Sequence, residues 1–413
     1  MDIAILGYGV VGSGTARLLE KNSGGSVSRA ACLLLRLKYI LDIRDFPGDP
    51  LESLIVHDFD TILDDPDVRV VAETIGGLHP AFEFVMACLR AGKSVVTSNK
   101  ELVATRGYEL LQAAREHNAN FLFEGSVGGG IPIIRPLSQC LAANEIGEVA
   151  GILNGTTNFI LAKMLGDAMP FDQALRMAQE NGYAERDPSA DIGGADACRK
   201  ICILATLAFG RHVYPGQVRT HGIEGLTLED AAYADKLGCN IKLLGRARRL
   251  PDGRISALVA PMLVPRAGNL LACVSDVYNA ILIRGDAVDD VMFYGRGAGQ
   301  LPTASAVVAD IIDCAKHLDR RRCFDWEDGA PDYVAPAEED VCKFYARAAC
   351  DDLEDARKQV MRAFPGASFI EIEGAKPGEM AFVTMPVRDG AAREALAGLP
   401  GIEAKMVMRV AGF

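Results

Sequence analysis

A short apolar segment followed by three spaced glycines is the feature that most constrains the fold of this chain. Residues 2–6 predict a buried strand, Gly7, Gly9 and Gly12 follow in the spacing G-x-G-x-x-G, and a helical pattern through Thr15, Leu18 and Leu19 comes next. Gly7 permits a tight turn, Gly9 lets the backbone approach a pyrophosphate, and Gly12 lets helix and strand pack closely. The helix N-terminus would then face the phosphates, and Val10 and Val11, within the glycine loop, are predicted cofactor contacts as well. We therefore predict a dinucleotide site, with a turn that serves only its own geometry as the alternative.

The segments after this loop alternate between strand and helix patterns. Further strands are predicted near residues 38–43, 68–72 and 94–97, with an amphipathic helix at 81–91 among them. Strands that alternate with helices are typical of a parallel, doubly wound sheet. The sequence thus predicts an α/β fold with a Rossmann-type nucleotide-binding domain.

The end of the second predicted strand bears on the choice between NAD and NADP. An acidic side chain there holds ribose hydroxyls, whereas an arginine accommodates a 2′-phosphate. The segment Leu41–Asp45, with two aspartates and Arg44, offers both chemistries, and the segment from Asp42 to Pro50 is longer than the short turn expected. Both cofactors therefore stay open at this point, as does the alternative that Arg44 and Asp45 are only a solvated loop pair.

Composition excludes several classes of function. A net charge of -12 without a cluster of Lys and Arg argues against a nucleic-acid or anionic-membrane partner. The first residues lack the features of a signal peptide, and no apolar run approaches the roughly 20 residues of a membrane-spanning helix. Eleven cysteines without a CxxC pair are typical of free thiols in a reducing compartment. We expect a cytoplasmic protein that does not span a membrane.

A group of charged residues in the middle of the chain suggests a catalytic site. Asp196 and Lys200 are four residues apart on a predicted helix, so they can pair on one face, and Glu185 and Asp191 arrive from the preceding loop. Three carboxylates around one lysine could hold a zwitterionic substrate beside a proton-transfer group. The alternative is an ion-pair network on the surface.

Two other positions have both a functional and a structural interpretation. Lys100 follows the strand that ends at Thr97, at the sheet edge where doubly wound folds bind ligands; the alternative is a capped helix start with a solvated lysine. Glu124 precedes a glycine-rich stretch whose carbonyls could hold a hard cation together with one carboxylate. A plain flexible turn is the alternative there.

These pieces, in this order, resemble homoserine dehydrogenase over about residues 1–320. The resemblance rests on Gly7–Gly12, Thr97–Glu101, Glu124–Pro132, Asn154–Asn158, Glu185–Lys200, Gly297–Gly299 and Pro302–Ala306. It implies NAD(P)-dependent interconversion of L-aspartate 4-semialdehyde and L-homoserine, a step of threonine and methionine biosynthesis.

The resemblance also implies roles for individual residues. Lys200 would give the proton to the aldehyde oxygen, and Asp196 would orient it. Lys100 would lie at the nicotinamide and the reacting centre. The remaining implied contacts are Glu185 and Asp191 with the substrate amino group, Gly155 and Thr156 with the substrate pocket, Thr97 and Gly297 with the cofactor, and Glu124, Val127, Gly129 and Ile131 with a structural sodium ion.

The domain organisation predicted from these patterns has three parts and a linker. Residues 1–130 form the nucleotide domain, 131–320 the substrate and oligomerisation domain with a return to the first near 295–320, and 321–339 a linker. Residues 340–413 have the pattern βαββαβ and resemble an ACT domain, the ferredoxin-like module that binds amino acids. Two roles stay open for it, a threonine effector site and pairing of subunits in a homodimer or homotetramer. The segment 349–354 lacks the Pro-Gly step of the usual ligand loop.

Two other functions compete with this interpretation. A semialdehyde dehydrogenase of the thioester type would need a cysteine nucleophile with a nearby histidine, and no cysteine here has that context. A non-catalytic sensor of nucleotides and amino acids would have kept the fold and lost turnover. The complete set of charged residues in the middle segment argues against the sensor.

Overall fold

A computed structural model describes residues 1–22, 25–318, 320–322 and 326–412, so residues 323–325 of the predicted linker lie outside the described part. The chain divides into two units. The first consists of Met1–Glu145, Cys202–Pro215 and Gly295–Gly329, and the second of Ile146–Ile201, Gly216–Tyr294 and Ala330–Phe413.

The first unit contains a parallel sheet with the strand order β3-β2-β1-β4-β5-β6. Its strands are β1 (Asp2–Leu6), β2 (Arg36–Leu41), β3 (Ile55–Val56), β4 (Val68–Glu73), β5 (Ser94–Thr97) and β6 (Phe121–Leu122). The helices between them are α1 (Val10–Asn22), α2 (Ser26–Ala31), α3 (Asp60–Leu63), α4 (Ala81–Arg90) and α5 (Lys100–Glu116). The predicted doubly wound sheet is confirmed.

The predicted bounds of the second strand are wrong by two residues. β2 begins at Arg36, which pairs with Asp2, and ends at Leu41, which pairs with Leu6. Asp42 and the exposed Ile43 therefore lie beyond the strand. The short strand β3 was not predicted, because two residues are too few to show an alternation of apolar and polar positions.

The second unit contains a mixed sheet with the order β12-β11-β7-β9-β10-β17-β13-β15-β14, in which β8 also pairs with β10 and β16 with β13. Its strands are β7 (Ile146–Ile152), β8 (Arg219–Thr220), β9 (Cys239–Arg249), β10 (Ile255–Pro265), β11 (Tyr278–Gly285), β12 (Asp289–Arg296), β13 (Val341–Cys350), β14 (Ser368–Ile370), β15 (Glu379–Val383), β16 (Val387–Arg388) and β17 (Ile402–Val410). The remaining helices of the chain are α6 (Gly155–Gly166), α7 (Phe171–Glu180), α8 (Ser189–Ile192), α9 (Ala195–Phe209), α10 (Leu228–Lys236), α11 (Gln300–Lys316), α12 (Leu353–Ala363) and α13 (Asp389–Ala397). The division between the units falls within α9, and α11 belongs to the first unit.

The carboxyl-terminal part of the chain has the predicted order of strands and helices, with the two-residue strand β16 added before α13. Its last strand, β17, pairs with β13 on one side and with β10 on the other. The strands of this part therefore belong to the same sheet as β7, β9 and β10. The predicted likeness to an ACT domain stays a prediction.

None of the helices in the described residues is both long and apolar enough to cross a membrane. No disulfide joins the ten cysteines that the structure describes.

Candidate nucleotide and lysine sites

The three glycines after β1 have different geometric duties. Gly7 has a φ of +92°, which side chains other than glycine rarely adopt. A Cβ atom at Gly12 would lie 1.9 Å from the carbonyl oxygen of Gly7, whereas a Cβ atom at Gly9 would meet nothing within 4 Å. Val10, 67% exposed, opens helix α1, and the partly buried Val11 follows it. From Gly7 to Gly12 the loop thus has a tight turn, an open approach and a close contact, in the order that a pyrophosphate site needs.

Asp42 and Arg44 form one unit at the end of β2. The Asp42 carboxylate accepts from the Tyr8 backbone N–H at 2.8 Å and from Nε and Nη2 of Arg44 at 2.9 and 3.0 Å. Hydrogen bonds from Arg44 lower the pKa of Asp42 to about 2. The Arg44 side chain is 59% exposed, and its guanidinium lies 5.0 Å from the ring centroid of Phe46. The aspartate is therefore ionised and engaged, while the guanidinium remains open to solvent.

A buried glutamate organises the carboxyl ends of β4 and β5. Glu73 accepts from the backbone N–H groups of Ile75 and Gly76 at 2.8 and 3.1 Å and from the Thr97 hydroxyl at 2.5 Å. Burial raises the pKa of Glu73. Thr97, which was predicted to contact the cofactor, thus has its hydroxyl committed to this carboxylate. Sequence analysis did not identify Glu73, although a carboxylate directly after three apolar residues of a strand is an unusual signal.

Lys100 is the first residue of α5 and is partly buried. Asn99 caps this helix by accepting from the Leu102 N–H at 3.1 Å, and its amide group donates to the Gly77 carbonyl at 2.6 Å. The capped helix start that was considered as an alternative is therefore present. A capped helix start does not preclude a functional lysine, because the cap at Asn99 fixes the backbone of the first helical residue, Lys100.

Glu124 is 4% exposed and is surrounded by backbone donors. Its two carboxylate oxygens accept from the N–H groups of Ile133, Ile134 and Arg135 at 2.7–2.9 Å. The stretch after it turns through Gly128 and Gly129, with φ of +77° and +52°.

The other residues of the predicted cation site lie in the same stretch. Val127 and Ile131 are buried, and the Ile131 N–H donates to the Gly128 carbonyl at 2.8 Å. A Cβ atom at Gly129 would lie 2.6 Å from the carbonyl oxygen of Gly297. The predicted cation ligand Gly129 and the predicted cofactor contact Gly297 are therefore neighbours in the first unit.

Lys200 and the residues around it form a buried cluster in the second unit, which we call the Lys200 cluster and define as Lys200, Asp196, Asp191 and Asn154. The Lys200 ammonium donates to the Asp196 carboxylate at 2.7 Å and to the Leu153 carbonyl at 2.8 Å. Lys200 is 7% and Asp196 4% exposed. Such burial argues against the surface ion-pair network that the spacing alone allowed.

Asn154 joins the two aspartates and was not predicted as a site residue. Its amide nitrogen donates to Asp191 at 2.7 Å and to Asp196 at 2.9 Å, while its oxygen accepts from the Thr157 N–H at 2.9 Å and so caps α6. The signal that could have identified it is an N-cap residue directly before Gly-Thr-Thr. One side chain thus fixes a helix start and two carboxylates.

The structure brings some of the predicted substrate residues to this cluster. Gly155 and Thr156 open α6 directly after Asn154, and the Thr156 hydroxyl donates to the Tyr183 carbonyl at 2.6 Å. Glu185 is exposed, and in the described part of the chain its carboxylate makes no hydrogen bond with the Lys200 cluster. The prediction that Glu185 binds the substrate therefore rests on the resemblance alone.

A glycine-loop nucleotide domain in the same chain as a buried lysine paired with a carboxylate is typical of the class of nicotinamide-dependent oxidoreductases. Two family models extend this result: "Homoserine dehydrogenase, NAD binding domain" matches residues 7–124, and "Homoserine dehydrogenase" matches residues 132–312. The chain belongs to the homoserine dehydrogenase family. It is an NAD(P)-dependent oxidoreductase that interconverts L-homoserine and L-aspartate 4-semialdehyde. Membership of this family gives no support to the sensor alternative.

Individual relatives agree with this assignment. The chain is 40% identical to a homoserine dehydrogenase of Synechocystis sp. over 98% of this chain and 97% of the relative. A crystal structure of the enzyme from Thiobacillus denitrificans has 35% identity and a TM-score of 0.88, covering 100% of this chain and 98% of that chain. A hyperthermophilic archaeal homoserine dehydrogenase in complex with NADPH has 28% identity and a TM-score of 0.63, covering 76% of this chain and 97% of that chain.

Proposed function

We propose that Lys200 is the residue that transfers the proton during interconversion of the alcohol and the aldehyde. The observation that carries this proposal is the buried Lys200 ammonium, which is held by the Asp196 carboxylate and the Leu153 carbonyl. Burial removes competing water, and two fixed acceptors define the direction of the transferable proton. Kinetics of Lys200 variants with L-homoserine test this role.

The proposed reaction consists of a hydride transfer and a proton transfer. When bound, NAD(P) accepts or supplies a hydride at the carbon that bears the oxygen. In the direction of aldehyde reduction the Lys200 ammonium gives its proton to the forming alkoxide, and in the opposite direction the neutral amine takes the hydroxyl proton. Asp196 stabilises the charged form of Lys200 and fixes its orientation.

The substrate amino group is proposed to bind beside these residues. Asp191, partly buried and held by Asn154, presents a carboxylate to an ammonium group at a fixed position. Gly155 and Thr156, at the N-terminus of α6, favour the negative charge of the substrate carboxylate. Glu185, which is exposed on the segment before α8, is proposed to complete the set.

For the cofactor we infer a preference for NADP over NAD. The Asp42 carboxylate, which in an NAD site would accept the ribose hydroxyls, is already engaged by Tyr8 and Arg44. The exposed guanidinium of Arg44 suits a 2′-phosphate. The glycine loop, Thr97, Lys100 and Gly297 are proposed as the other cofactor contacts.

Replacement of Arg44 by alanine tests this preference. We expect the KM for NADP to rise by about 10- to 100-fold and the KM for NAD to change little, since a bidentate phosphate partner is lost and Asp42 becomes free for ribose hydroxyls. The matched control is Arg36→Ala, which removes an exposed arginine paired with Asp2 at the other end of β2. Equal changes of KM for the two cofactors would show that Arg44 does not select between them.

A structural sodium ion is proposed at Glu124 with the carbonyls of Val127, Gly129 and Ile131. A carboxylate has about four lone-pair sites, and three N–H donors leave one for a cation. In the described part of the chain no group of three or more His, Cys, Asp or Glu side chains is suited to a metal, so the donor set fits a weakly bound monovalent ion. The ion would hold the turn at Gly128 and Gly129 and would take no part in the transfer.

Exchange of the cation in solution checks this site. At equal ionic strength we expect a higher melting temperature in sodium chloride than in choline chloride, because an ion that binds only the folded state stabilises it. A larger cation cannot enter a ring of carbonyls, so choline serves as the control. Equal melting temperatures in the two salts would remove the sodium proposal.

The two predicted roles of the carboxyl-terminal part, threonine sensing and subunit pairing, stay predictions. The segment between β13 and α12 is short, and Asp352 caps α12 by accepting from the N–H groups of Glu354 and Asp355 at 2.9 and 3.0 Å. The side chain of Asp352 thus satisfies two N–H groups at this helix start, which supports pairing over effector binding in this segment.

A further inference from the structure

Lys242 is a buried lysine that the proposed mechanism does not use. It lies in β9, is 3% exposed, and donates to the Asn158 side-chain oxygen at 3.0 Å and to the Val274 carbonyl at 2.5 Å. Within the described part of the chain no carboxylate forms an ion pair with it, and burial lowers the pKa of its ammonium to about 8. A buried cation with only neutral partners is costly, so its hydrogen bonds should serve a specific arrangement.

Asn158 receives this lysine and holds the same backbone segment. Its amide nitrogen donates to the carbonyls of Val274, Asp276 and Tyr278 at 3.4, 2.9 and 3.1 Å. Asp276 has a φ of +58°, an unfavourable conformation for a residue with a side chain. Lys242 and Asn158 therefore hold residues 274–278 in a shape that includes an uncommon backbone conformation at Asp276.

The fixed segment packs against the start of α6. A Cβ atom at Gly155 would lie 2.7 Å from the Val277 carbonyl oxygen and 3.5 Å from the side-chain oxygen of Asn279. Asn279 is 1% exposed, and its side-chain oxygen accepts no hydrogen bond from the residues that the structure describes. This side of Gly155 thus combines the Val277 carbonyl, which belongs to the fixed segment, with a buried acceptor that no described group satisfies and that a bound polar molecule could satisfy.

We propose that Lys242 and Asn158 are positioning residues, which hold segment 274–278 as one wall of the substrate pocket beside Gly155. The proposal rests on the proposed role of Gly155 in substrate binding. Release of the wall changes how well the substrate is held, whereas the Lys200 ammonium and its partners keep their contacts. The consequence is a defect in KM for the substrate and little change in kcat.

The test compares Lys242→Met with Lys236→Met, which removes an exposed lysine in the last turn of α10. For Lys242→Met we expect the KM for L-homoserine to rise by about tenfold, with kcat and the KM for NADP within about twofold of the original values. Lys242→Arg, which keeps a charged donor, should have a KM for L-homoserine between those of Lys242→Met and the original protein. Lys236→Met should behave as the original protein.

Amide hydrogen exchange of residues 274–278 gives a second readout that needs no turnover. It should accelerate in Lys242→Met and in Asn158→Ala but not in Lys236→Met. Unchanged amide exchange of residues 274–278 in both variants would show that Lys242 and Asn158 do not hold this segment. That result overturns the proposal whether or not the protein oxidises homoserine. Faster exchange with an unchanged KM would show that the wall lies outside the substrate pocket. A fall of kcat together with a rise of KM would indicate a general structural role. Either result overturns the proposal.

Discussion

Replacement of Lys200 by alanine is expected to lower kcat for homoserine oxidation by about 10²-fold or more, the usual contribution of a general acid or base. The alanine variant has no group that can take the hydroxyl proton at the position now defined by Asp196 and the Leu153 carbonyl. Binding of NAD(P) should be unchanged, because the glycine loop and the other proposed cofactor contacts belong to the other unit. Steady-state or stopped-flow kinetics measure kcat, and a fluorescence titration measures the affinity for NAD(P).

The matched control is Lys163→Ala, since Lys163 lies on α6 and forms an exposed pair with Asp167. This control should keep its kcat within about twofold, as expected for a surface ion pair. Asp196→Asn provides a second test, because it keeps the shape of the Lys200 partner and removes its charge. A Lys200→Ala protein with the original kcat would contradict the assignment of the proton transfer.

Replacement of Arg347 by methionine is expected to destabilise the second unit by about 3–5 kcal/mol, the usual cost when one partner of a buried ion pair is removed. Arg347 lies on β13 and donates to Asp230 at 2.8 and 3.0 Å and to Glu379 at 3.0 Å. Asp230 is fully buried on α10, so the variant leaves a carboxylate without its guanidinium. The same contacts join the carboxyl-terminal part of the chain to α10.

Thermal unfolding measures this effect, and the expected loss corresponds to a fall of the melting temperature on the order of 10 °C for a unit of this size. The control is Arg357→Met, which removes an arginine paired with the exposed Glu371 and should shift the melting temperature little. Equal melting temperatures of Arg347→Met and Arg357→Met would mean that the buried network contributes no net stability.

The parts of the fold that sequence predicted are those encoded by local patterns. The strand at Asp2–Leu6, the glycine spacing and the later alternation of strand and helix are visible within short windows. The end of β2 was misplaced because it depends on pairing with β1, more than thirty residues away in sequence. The junction of β17 with β10 was not predicted for the same reason, since strand pairing between distant segments leaves no local signal.

The candidate site shows the same division. Asp196 and Lys200 were expected to pair because four residues separate them on a helix, and they do pair. Asn154 donates to Asp196 across 42 positions of sequence, and Thr97 donates to Glu73 across 24, so neither contact could be predicted from spacing. Glu185 is close to Asp191 in sequence, but its side chain is exposed, so its part in a shared pocket stays a prediction.

The most direct test of the account is the absorbance of reduced nicotinamide in mixtures of the protein, L-homoserine and either NADP or NAD at alkaline pH with sodium present. Formation of the aldehyde releases a proton, so alkaline pH favours the measured direction. The account predicts a growing signal, faster with NADP than with NAD, and almost none with Lys200→Ala. A flat trace with both cofactors and folded protein would contradict homoserine oxidation by this chain.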